Sequence, residues 1–245
     1  MIKKTSKISE FNHFTNLANE WWKPAGKFKI LHTITPLRIQ YIKSMFCNKN
    51  RNFKTSNKPL KNLDILDLGC GGGLVCEPLA RLGANITGFD FIKQNIDIAK
   101  KHAKDSNLNI KYSHQNLDTF KLTNKYDAIL ILEVLEHLDD WKKLISNVKN
   151  FLKPEGKIII STINRNLVAK IFAIFVAENI FKWVPKKTHT FENLIKPIEL
   201  TSFLEKNEIN VIDVTGLVFK PISFEWHLDK YNQKINYLCT GIKSN

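Results

Sequence analysis

One stretch, residues 64–73, constrains the fold of this chain more than any other. It reads Asp-Ile-Leu-Asp-Leu-Gly-Cys-Gly-Gly-Gly. The apolar residues at its start predict a short buried strand. The four glycines predict a turn whose backbone has a positive φ or lies close to another group, and residues 74–82 have the pattern of a helix. A strand, a glycine turn and a helix start can form a cradle for a nucleotide-like ligand, although a turn without a ligand is the alternative.

The next predicted strand favours the ligand. Residues 85–90 read Asn-Ile-Thr-Gly-Phe-Asp, and Asp90 lies 21 residues after Gly69. In dinucleotide-binding folds an acidic residue at about this distance, roughly 20 residues, binds ribose hydroxyls. The chain has no G-x-x-x-x-G-K-[ST] motif, so a phosphate-binding P-loop is not supported. The stretch resembles motif I of the class I S-adenosylmethionine-dependent methyltransferases. That resemblance implies a glycine loop beneath the cofactor and an acid on its ribose.

Alternation of strands and helices along the chain predicts an α/β fold. Further strands are predicted near residues 109–113, 126–132 and 157–161, with a last pair at 209–219 and 234–243. Helices are predicted at about 92–105 and 138–152, which gives a Rossmann-like, largely parallel sheet with helices on both faces. The class I resemblance implies seven strands, the last one antiparallel at the sheet edge. We divide the chain into an N-terminal helical extension and linker, residues 1–62, and a methyltransferase domain, residues 63–245.

The N-terminal extension contains two predicted helices. The first covers residues 5–20, ends near Trp21 and Trp22, and is expected to lie over the cofactor or substrate mouth, with the tryptophans packing rather than touching a ligand. The second begins with Thr35 as N-cap and Pro36 at its first position and continues to about Cys47. It carries Arg38, which is either a solvated surface charge or a guanidinium that pairs with the cofactor carboxylate.

An insertion, residues 164–187, follows the predicted fifth strand. Its apolar face consists of Leu167, Val168, Ile171, Phe172, Phe175 and Val176. Lysines lie near the opposite face, so the segment is amphipathic. It is either a lid over the active site or an interfacial helix in an anionic membrane, with Trp183 at the level of the headgroups, and one helix could do both.

Composition sets the remaining limits. The chain has 245 residues, enough for one α/β domain with additions. Its net charge of +14 suits binding to nucleic acid, to an anionic membrane or to an anionic substrate. The lysines are spread along the chain, however, and compositional drift alone could produce that distribution. No apolar run reaches the roughly 18 residues that span a bilayer, and no secretory signal is present.

The cysteines lack zinc spacing, so reduced thiols in a cytosolic protein are expected. They are Cys47, Cys70, Cys76 and Cys239.

Three functional side chains follow the predicted strand at 126–132. Glu133, Glu136 and His137 have the spacing i, i+3, i+4, which places them on one face of a helical turn. They could hold a divalent cation such as magnesium, manganese or zinc, or one of them, His137 above all, could act as a general base. A capped helix start with acids favoured by the helix dipole is the alternative. Methylation of a phenol, whose pKa is about 10, would require such a base or metal.

Several sequence blocks together resemble the ubiquinone biosynthesis O-methyltransferases over nearly the whole chain. They are residues 19–28, 31–41, 67–73, 133–137, 161–166, 184–191 and 195–200. The resemblance implies S-adenosylmethionine as methyl donor and two O-methylations, on a 2-polyprenyl-6-hydroxyphenol and on 3-demethylubiquinol. It matches Arg38, Gly69, Asp90 and Leu132 with cofactor contacts. It matches Glu133, Glu136 and His137 with positions that bind magnesium in mitochondrial relatives.

A polyprenylated substrate lies in the bilayer, which implies where the protein works and with what. We expect a cytoplasmic protein, peripheral at the inner membrane face, that contacts anionic lipid through residues 164–187 and meets other enzymes of the pathway. No N/D-P-P-Y run and no Pro-Cys nucleophile follows the strand at 126–132, so a nucleic-acid partner is not expected. The alternatives are an S-adenosylmethionine-binding scaffold within a biosynthetic complex, a C-methyltransferase of the same pathway, and an RNA methyltransferase, which the charge would favour.

Overall fold

The computed structural model describes residues 17–47, 57–116, 120, 122–169 and 191–244. Three predicted segments lie wholly or partly outside these ranges. They are most of the first N-terminal helix, much of the linker before residue 62, and all but the first six residues of the insertion at 164–187. In the described part of the chain, no helix has the length and apolar character needed to cross a bilayer.

The core of the molecule is one eight-stranded sheet, in the order β3-β2-β1-β4-β5-β8-β6-β7. Strands β1 to β5 are parallel to one another, whereas β8 is antiparallel to both β5 and β6. The strands are β1 (Asp64–Leu68), β2 (Asn85–Asp90), β3 (Lys111–His114), β4 (Tyr126–Leu132), β5 (Leu152–Ile163), β6 (Ile209–Lys220), β7 (Glu225–Asp229) and β8 (Asn236–Lys243).

The α/β class and the parallel core are as predicted, but the antiparallel side of the sheet differs in two ways. The last strand, β8, lies inside the sheet between β5 and β6 and not at its edge. Its middle residues are fully buried because their side chains enter the cores on both faces of the sheet, as is typical of an interior strand. An eighth strand, β7, forms a hairpin with β6 and takes the edge. It is short and half-exposed, as edge strands usually are.

Helices cover both faces of the sheet because the buried strands alternate their side chains between two apolar cores. In β1, Ile65 belongs to one core and Leu66 to the other. The first core is completed by α1, α2 and α3, and the second by α4 and α5. These helices are α1 (Lys29–Phe46), α2 (Cys76–Arg81), α3 (Lys93–Asp105), α4 (Trp141–Val148) and α5 (Pro197–Lys206).

Helix α1 begins earlier than the sequence predicts. It starts at Lys29, so that Pro36 lies inside the helix, and Thr35 is not an N-cap but donates a hydrogen bond from its hydroxyl to the Leu31 carbonyl at 2.6 Å. An interior proline costs a helix about 3 kcal/mol or more. Burial of the apolar face against the sheet offsets that cost, since Ile34 and Ile42 are both in the first core.

A polar contact fixes the far end of α1 to the antiparallel strands. The Tyr41 hydroxyl lies 2.9 Å from Asp213 Oδ2 and 2.9 Å from Thr240 Oγ1. Asp213 belongs to β6 and Thr240 to β8. The helix is therefore held at a defined position on the sheet, and with it Arg38, one turn before Tyr41.

Candidate active site

The predicted site residues meet at the carboxyl ends of the parallel strands. Gly69 directly follows β1, Asp90 ends β2, and Leu132, the last residue of β4, precedes Glu133. Ligands of open α/β sheets bind outside the carboxyl ends of the strands. A cleft at the amino ends of these strands, lined by the first residues of several strands and by Lys111, lies away from all of these residues. We therefore place the candidate active site at the carboxyl ends of the parallel strands.

The glycine turn adopts the backbone that its sequence predicts. Gly69 and Gly71 have φ values of +77° and +54°. The amides of Gly69 and Cys70 both donate to the Phe89 carbonyl, at 2.8 and 2.9 Å, which joins the turn to β2. A Cβ on Gly69 would lie 2.4 Å from Val134 Cγ2, in the segment after β4. Glycine is required here for conformation and for space.

Asp90 is buried and tightly held. Its Oδ2 accepts a hydrogen bond from the Gly71 amide at 2.9 Å. Its Oδ1 accepts from the Ile92 amide at 2.8 Å and from Asn95 Nδ2 at 3.2 Å. Burial nevertheless raises the pKa of the Asp90 carboxyl above its ordinary value, because these donors offset only part of the desolvation. A carboxylate has about four acceptor positions, so Asp90 keeps room for a further hydroxyl donor.

The two tryptophans pack against the glycine turn, and this contact was predicted only as packing of an unspecified kind. A Cβ on Gly72 would lie 2.4 Å from Trp21 Cγ, which shows how closely the indole covers the turn. Trp21 stacks on Phe28 with ring centroids 4.0 Å apart. Trp22 donates from Nε1 to the Gly72 carbonyl at 2.9 Å and stacks on His102. No local sequence signal points to the glycine turn or to His102, which lie at least 50 residues further along the chain.

Arg38 is a buried residue and not a solvated surface charge. Only 4% of it is exposed, and its Nη2 donates to Glu133 Oε1 at 2.7 Å. Its Nε is buried without a hydrogen-bond partner among the described residues. A buried guanidinium with an unused donor fits a second anionic group, such as a carboxylate. The pairing with Glu133 was not predicted.

Asp67, on β1, is the second acid near Arg38. Burial raises the pKa of its carboxyl to about 6, against the opposing effects of the Cys76 thiol and the Arg38 charge. The thiol donates to Asp67 Oδ2 at 3.2 Å. Because the Arg38 charge acts to lower the pKa of Asp67, the two groups are electrostatically coupled.

The segment after β4 does not form the α-helical turn that the spacing of its acids predicts. Leu135–His137 is a short 3₁₀ helix, and Glu133 precedes it in the left-handed region, with φ of +55°. The Glu133 carboxylate accepts hydrogen bonds from Arg38 and from Ser161 Oγ, the latter at 2.9 Å. Glu136 is buried and accepts from Thr162 Oγ1 at 3.1 Å. Both carboxylates are thus directed to β5, while His137 is half-buried.

The Glu136 carboxyl titrates far above its ordinary range. Its burial, and then the nearby negative charge of Glu133, raise its pKa to about 8. At neutral pH most of the population is therefore protonated. A carboxyl with a pKa close to working pH is typical of acid–base groups in active sites.

The same geometry bears on the predicted metal site. Within the described ranges, no group of three or more His, Cys, Asp and Glu side chains is arranged to hold a metal ion. Glu133 is paired with the Arg38 guanidinium, and the Glu136 carboxyl accepts a hydrogen bond from the Thr162 hydroxyl. The predicted magnesium ligands Glu133, Glu136 and His137 do not fit the ion in this arrangement, and we assign no step to it.

Comparison with solved structures confirms the fold. A magnesium protoporphyrin IX methyltransferase from Synechocystis PCC 6803, solved with bound S-adenosylmethionine, superposes with a TM-score of 0.65 at 17% identity, covering 98% of this chain and 97% of that one. A methyltransferase from Thermotoga maritima, described as a possible histamine N-methyltransferase, gives 0.68 at 16% identity, covering 96% and 100%. The first is described as binding S-adenosylmethionine and the second as depending on it.

Comparison of sequences shows the family. A family model described as a methyltransferase domain matches residues 38–237. A protein of Bartonella tribocorum is 43% identical over 237 residues, which are 96% of either chain, and one of Pelagibacter ubique is 40% identical over 235 residues, 96% of this chain and 97% of that one. Both are named ubiquinone biosynthesis O-methyltransferase. The chain belongs to the ubiquinone biosynthesis O-methyltransferases, within the class I S-adenosylmethionine-dependent methyltransferases.

Proposed function

We propose that this protein transfers the methyl group of S-adenosylmethionine to ring hydroxyls of polyprenylated intermediates, 2-polyprenyl-6-hydroxyphenol and 3-demethylubiquinol. One observation carries the proposal. In a chain of this family, the hydrogen-bonded carboxylate of Asp90 at the end of β2 lies at the same end of the sheet as the ionisable side chains of the Glu133–His137 segment after β4. The first group suits an adenosyl ligand, and the second suits deprotonation of a weakly acidic hydroxyl.

The binding half of the site would hold the methyl donor in one orientation. Asp90 would accept hydrogen bonds from the ribose hydroxyls, and Arg38 would pair with the amino-acid carboxylate. The turn at Gly69 and the side chain of Leu132 would line the remaining surface. When bound, S-adenosylmethionine supplies a methyl group already activated by its sulfonium, so the protein's task is alignment and proton removal.

In the chemical half of the site we assign the general base to His137. It removes the proton from the ring hydroxyl, the oxygen forms a bond to the methyl carbon, and the bond from that carbon to sulfur breaks. The proton stays on the imidazole until it passes to solvent. Glu136 directly precedes His137, and the positive charge of a protonated His137 acts to lower the pKa of the Glu136 carboxyl. Proton uptake by His137 would therefore favour ionisation of Glu136, which would in turn stabilise the imidazolium. Glu133 accepts hydrogen bonds from Arg38 and Ser161 and would keep the Arg38 guanidinium in position.

For substrate access we propose that the protein is cytoplasmic, peripheral at the inner membrane face, and close to other enzymes of the pathway. The contact with anionic lipid would be residues 164–187, acting as an anchor, a lid or both. Residues 167–169 are helical, and Leu167 and Val168 are 71% and 53% exposed. Deletion of residues 166–186 should abolish sedimentation with anionic vesicles, and unchanged sedimentation would contradict the membrane contact.

The enzymatic proposal is tested by incubation with labelled S-adenosylmethionine and a short-tailed demethylubiquinol, with and without EDTA. We expect a product carrying a methoxy NMR signal in both conditions, since no step depends on a metal. A C-methyl signal would instead identify a C-methyltransferase. No methylated product under either condition would contradict the proposal and favour the scaffold role.

A further inference from the structure

The orientation of Asp90 depends on a residue far away in the sequence. Trp21 Nε1 donates a hydrogen bond to Asn95 Oδ1 at 2.8 Å, although the two residues are 74 positions apart. Asn95 Nδ2 in turn donates to Asp90 Oδ1 at 3.2 Å. All three side chains are buried, with 9%, 2% and 4% exposed for Trp21, Asn95 and Asp90. The contacts form one continuous relay from the N-terminal segment to the acid at the end of β2.

The chemistry of the relay fixes its direction. An indole nitrogen can only donate, so it selects the oxygen end of the Asn95 amide. With that oxygen facing Trp21, the amide NH₂ must face the Asp90 carboxylate. Without the indole donor, the amide could rotate and present its oxygen to Asp90, which would repel the carboxylate and leave it short of a donor. One N–H group thus determines which end of Asn95 faces Asp90.

Trp21 is itself held in place from several sides. It stacks on Phe28, and its indole covers Gly71 and Gly72. His32 Nε2 lies 2.8 Å from the Trp21 carbonyl oxygen and donates to it. Because Trp21 is held in place, its indole N–H keeps one direction. The Asn95 amide must then keep the orientation in which its oxygen accepts that hydrogen bond.

We propose that Trp21 is a positioning residue for the cofactor ribose: its indole N–H orients Asn95, which orients Asp90. The inference rests on the proposed role of Asp90 as the ribose acid. It adds to that role a residue outside the sheet that touches neither the cofactor nor the substrate in the proposed mechanism. It also gives the first tryptophan of the pair a task that the second, which donates to a backbone carbonyl, does not share.

The test uses Trp21→Phe, which keeps an aromatic ring beside Phe28 and the glycine turn but removes the N–H. Kd is measured for S-adenosylhomocysteine and for its 3′-deoxyribose analogue. We expect Trp21→Phe to weaken the natural ligand by about 3- to 10-fold, and the analogue by clearly less. A loss of packing alone would weaken both ligands equally. Equal losses, or no loss for either ligand, would overturn the proposal. Trp141→Phe, in α4 against Phe203 on the other face of the sheet, is the matched control.

Three further variants sharpen the test, and the first of them keeps the proposal testable if Trp21→Phe folds poorly. Asn95→Ala should show the same selective loss, and in the double variant Trp21→Phe/Asn95→Ala the loss should not exceed that of Asn95→Ala alone, because both changes act through one path. Additive losses would contradict the relay. Asp90→Asn separates the two hypotheses: if it fails to discriminate between the ligands, the ribose assignment is wrong, and if it discriminates while Trp21→Phe and Asn95→Ala do not, the relay is wrong.

Discussion

The ends of β2 and β4 lie at the same edge of one sheet but are built differently. At the end of β2, Asp90 accepts hydrogen bonds from two amides and from Asn95, and the only unusual φ values belong to glycines. At the end of β4, Glu133 has a positive φ, and burial and repulsion raise the pKa of Glu136 to about 8. Burial raises the pKa of Asp90 as well, but its carboxylate has three hydrogen-bond donors and lies on unstrained backbone. The β4 region combines a strained backbone with a more strongly perturbed acid.

The difference corresponds to what each region must do. A left-handed conformation at a residue other than glycine costs on the order of 1–3 kcal/mol and persists only where contacts enforce it. Here the Arg38 and Ser161 contacts of the Glu133 carboxylate supply that enforcement. A pre-formed region can bind a ligand without rearrangement, and a perturbed acid can exchange protons near neutral pH. We therefore expect changes at β2 to alter affinity and changes at β4 to alter rate.

His137→Ala should have the largest effect, because it removes the proposed general base. Loss of a positioned base lowers the rate by about 10²- to 10⁴-fold. We expect kcat to fall within that range while the Kd of S-adenosylhomocysteine is unchanged. His227→Ala, in the edge strand β7, is the control and should retain the normal rate. A His137→Ala enzyme with normal kcat would place the base elsewhere.

Asp90→Asn should affect affinity instead of rate. A hydrogen bond to a charged group contributes about 1.5–3 kcal/mol, so Kd for S-adenosylhomocysteine should rise roughly 10- to 150-fold. At saturating S-adenosylmethionine, kcat should largely recover. Asp97→Asn serves as control because Asp97 is an exposed residue of α3 that forms a surface ion pair with Lys93, a contact of little energetic value. A fall in kcat without a change in Kd would reverse the division between the two regions.

Arg38→Lys tests the residue that links the two regions. Lysine keeps the charge but loses the planar set of donors, so we expect about a tenfold weaker Kd for S-adenosylhomocysteine, equivalent to ~1.4 kcal/mol. Binding of 5′-methylthioadenosine, which lacks the amino-acid carboxylate, should be unaffected. Arg81→Lys, at the exposed end of α2, is the matched substitution. If both ligands weaken equally, Arg38 acts through the fold and not on the carboxylate.

Glu136→Gln should have the smallest effect, a change in the pH dependence of stability. The folded pKa of about 8 exceeds the ordinary value, so the folded state binds more protons than the unfolded state between those two values. Stability from this group is therefore fully present below the unfolded pKa and is lost as pH rises through about 8. Asp67 acts in the same sense, but only up to about pH 6.

Urea unfolding between pH 6.5 and 8.0 isolates the Glu136 contribution from that of Asp67. We expect the natural protein to lose stability across this interval and Glu136→Gln to lose less. Glu155→Gln, at an exposed position of β5, should follow the natural protein. Parallel curves for the natural protein and Glu136→Gln would show that the acid is not perturbed in the folded state.

The sequence predicted the relaxed region better than the strained one. The glycine turn and Asp90 follow from local chemistry, since positive φ requires glycine and the ribose acid has a regular spacing. The left-handed Glu133 could not be foreseen, because its conformation is enforced by Arg38 and Ser161, which are 95 and 28 residues away. The contact of Trp21 with Asn95 was unpredictable for the same reason.

The errors in the predicted fold also come from tertiary contacts overriding local signals. Thr35-Pro36 is a good local helix start, yet α1 begins at Lys29 because its apolar face is buried on the sheet. The position of β8 depends on pairing with β5 and β6, which the strand's own residues do not specify. The existence and type of the parallel strands, by contrast, could be read from continuous apolar runs.

The packing of Trp21 on the glycine turn has a consequence for how the protein can be divided. A boundary at residue 62 separates the chain into an extension and a sheet domain, and a fragment from residue 63 would retain all eight strands that the structure describes. That fragment would lack Trp21, Phe28, Arg38 and Tyr41, and with them part of the first apolar core. Under the proposed function, the smallest unit that can bind the methyl donor is therefore larger than the sheet. Recombination at that boundary would separate the sheet from residues that we propose support binding.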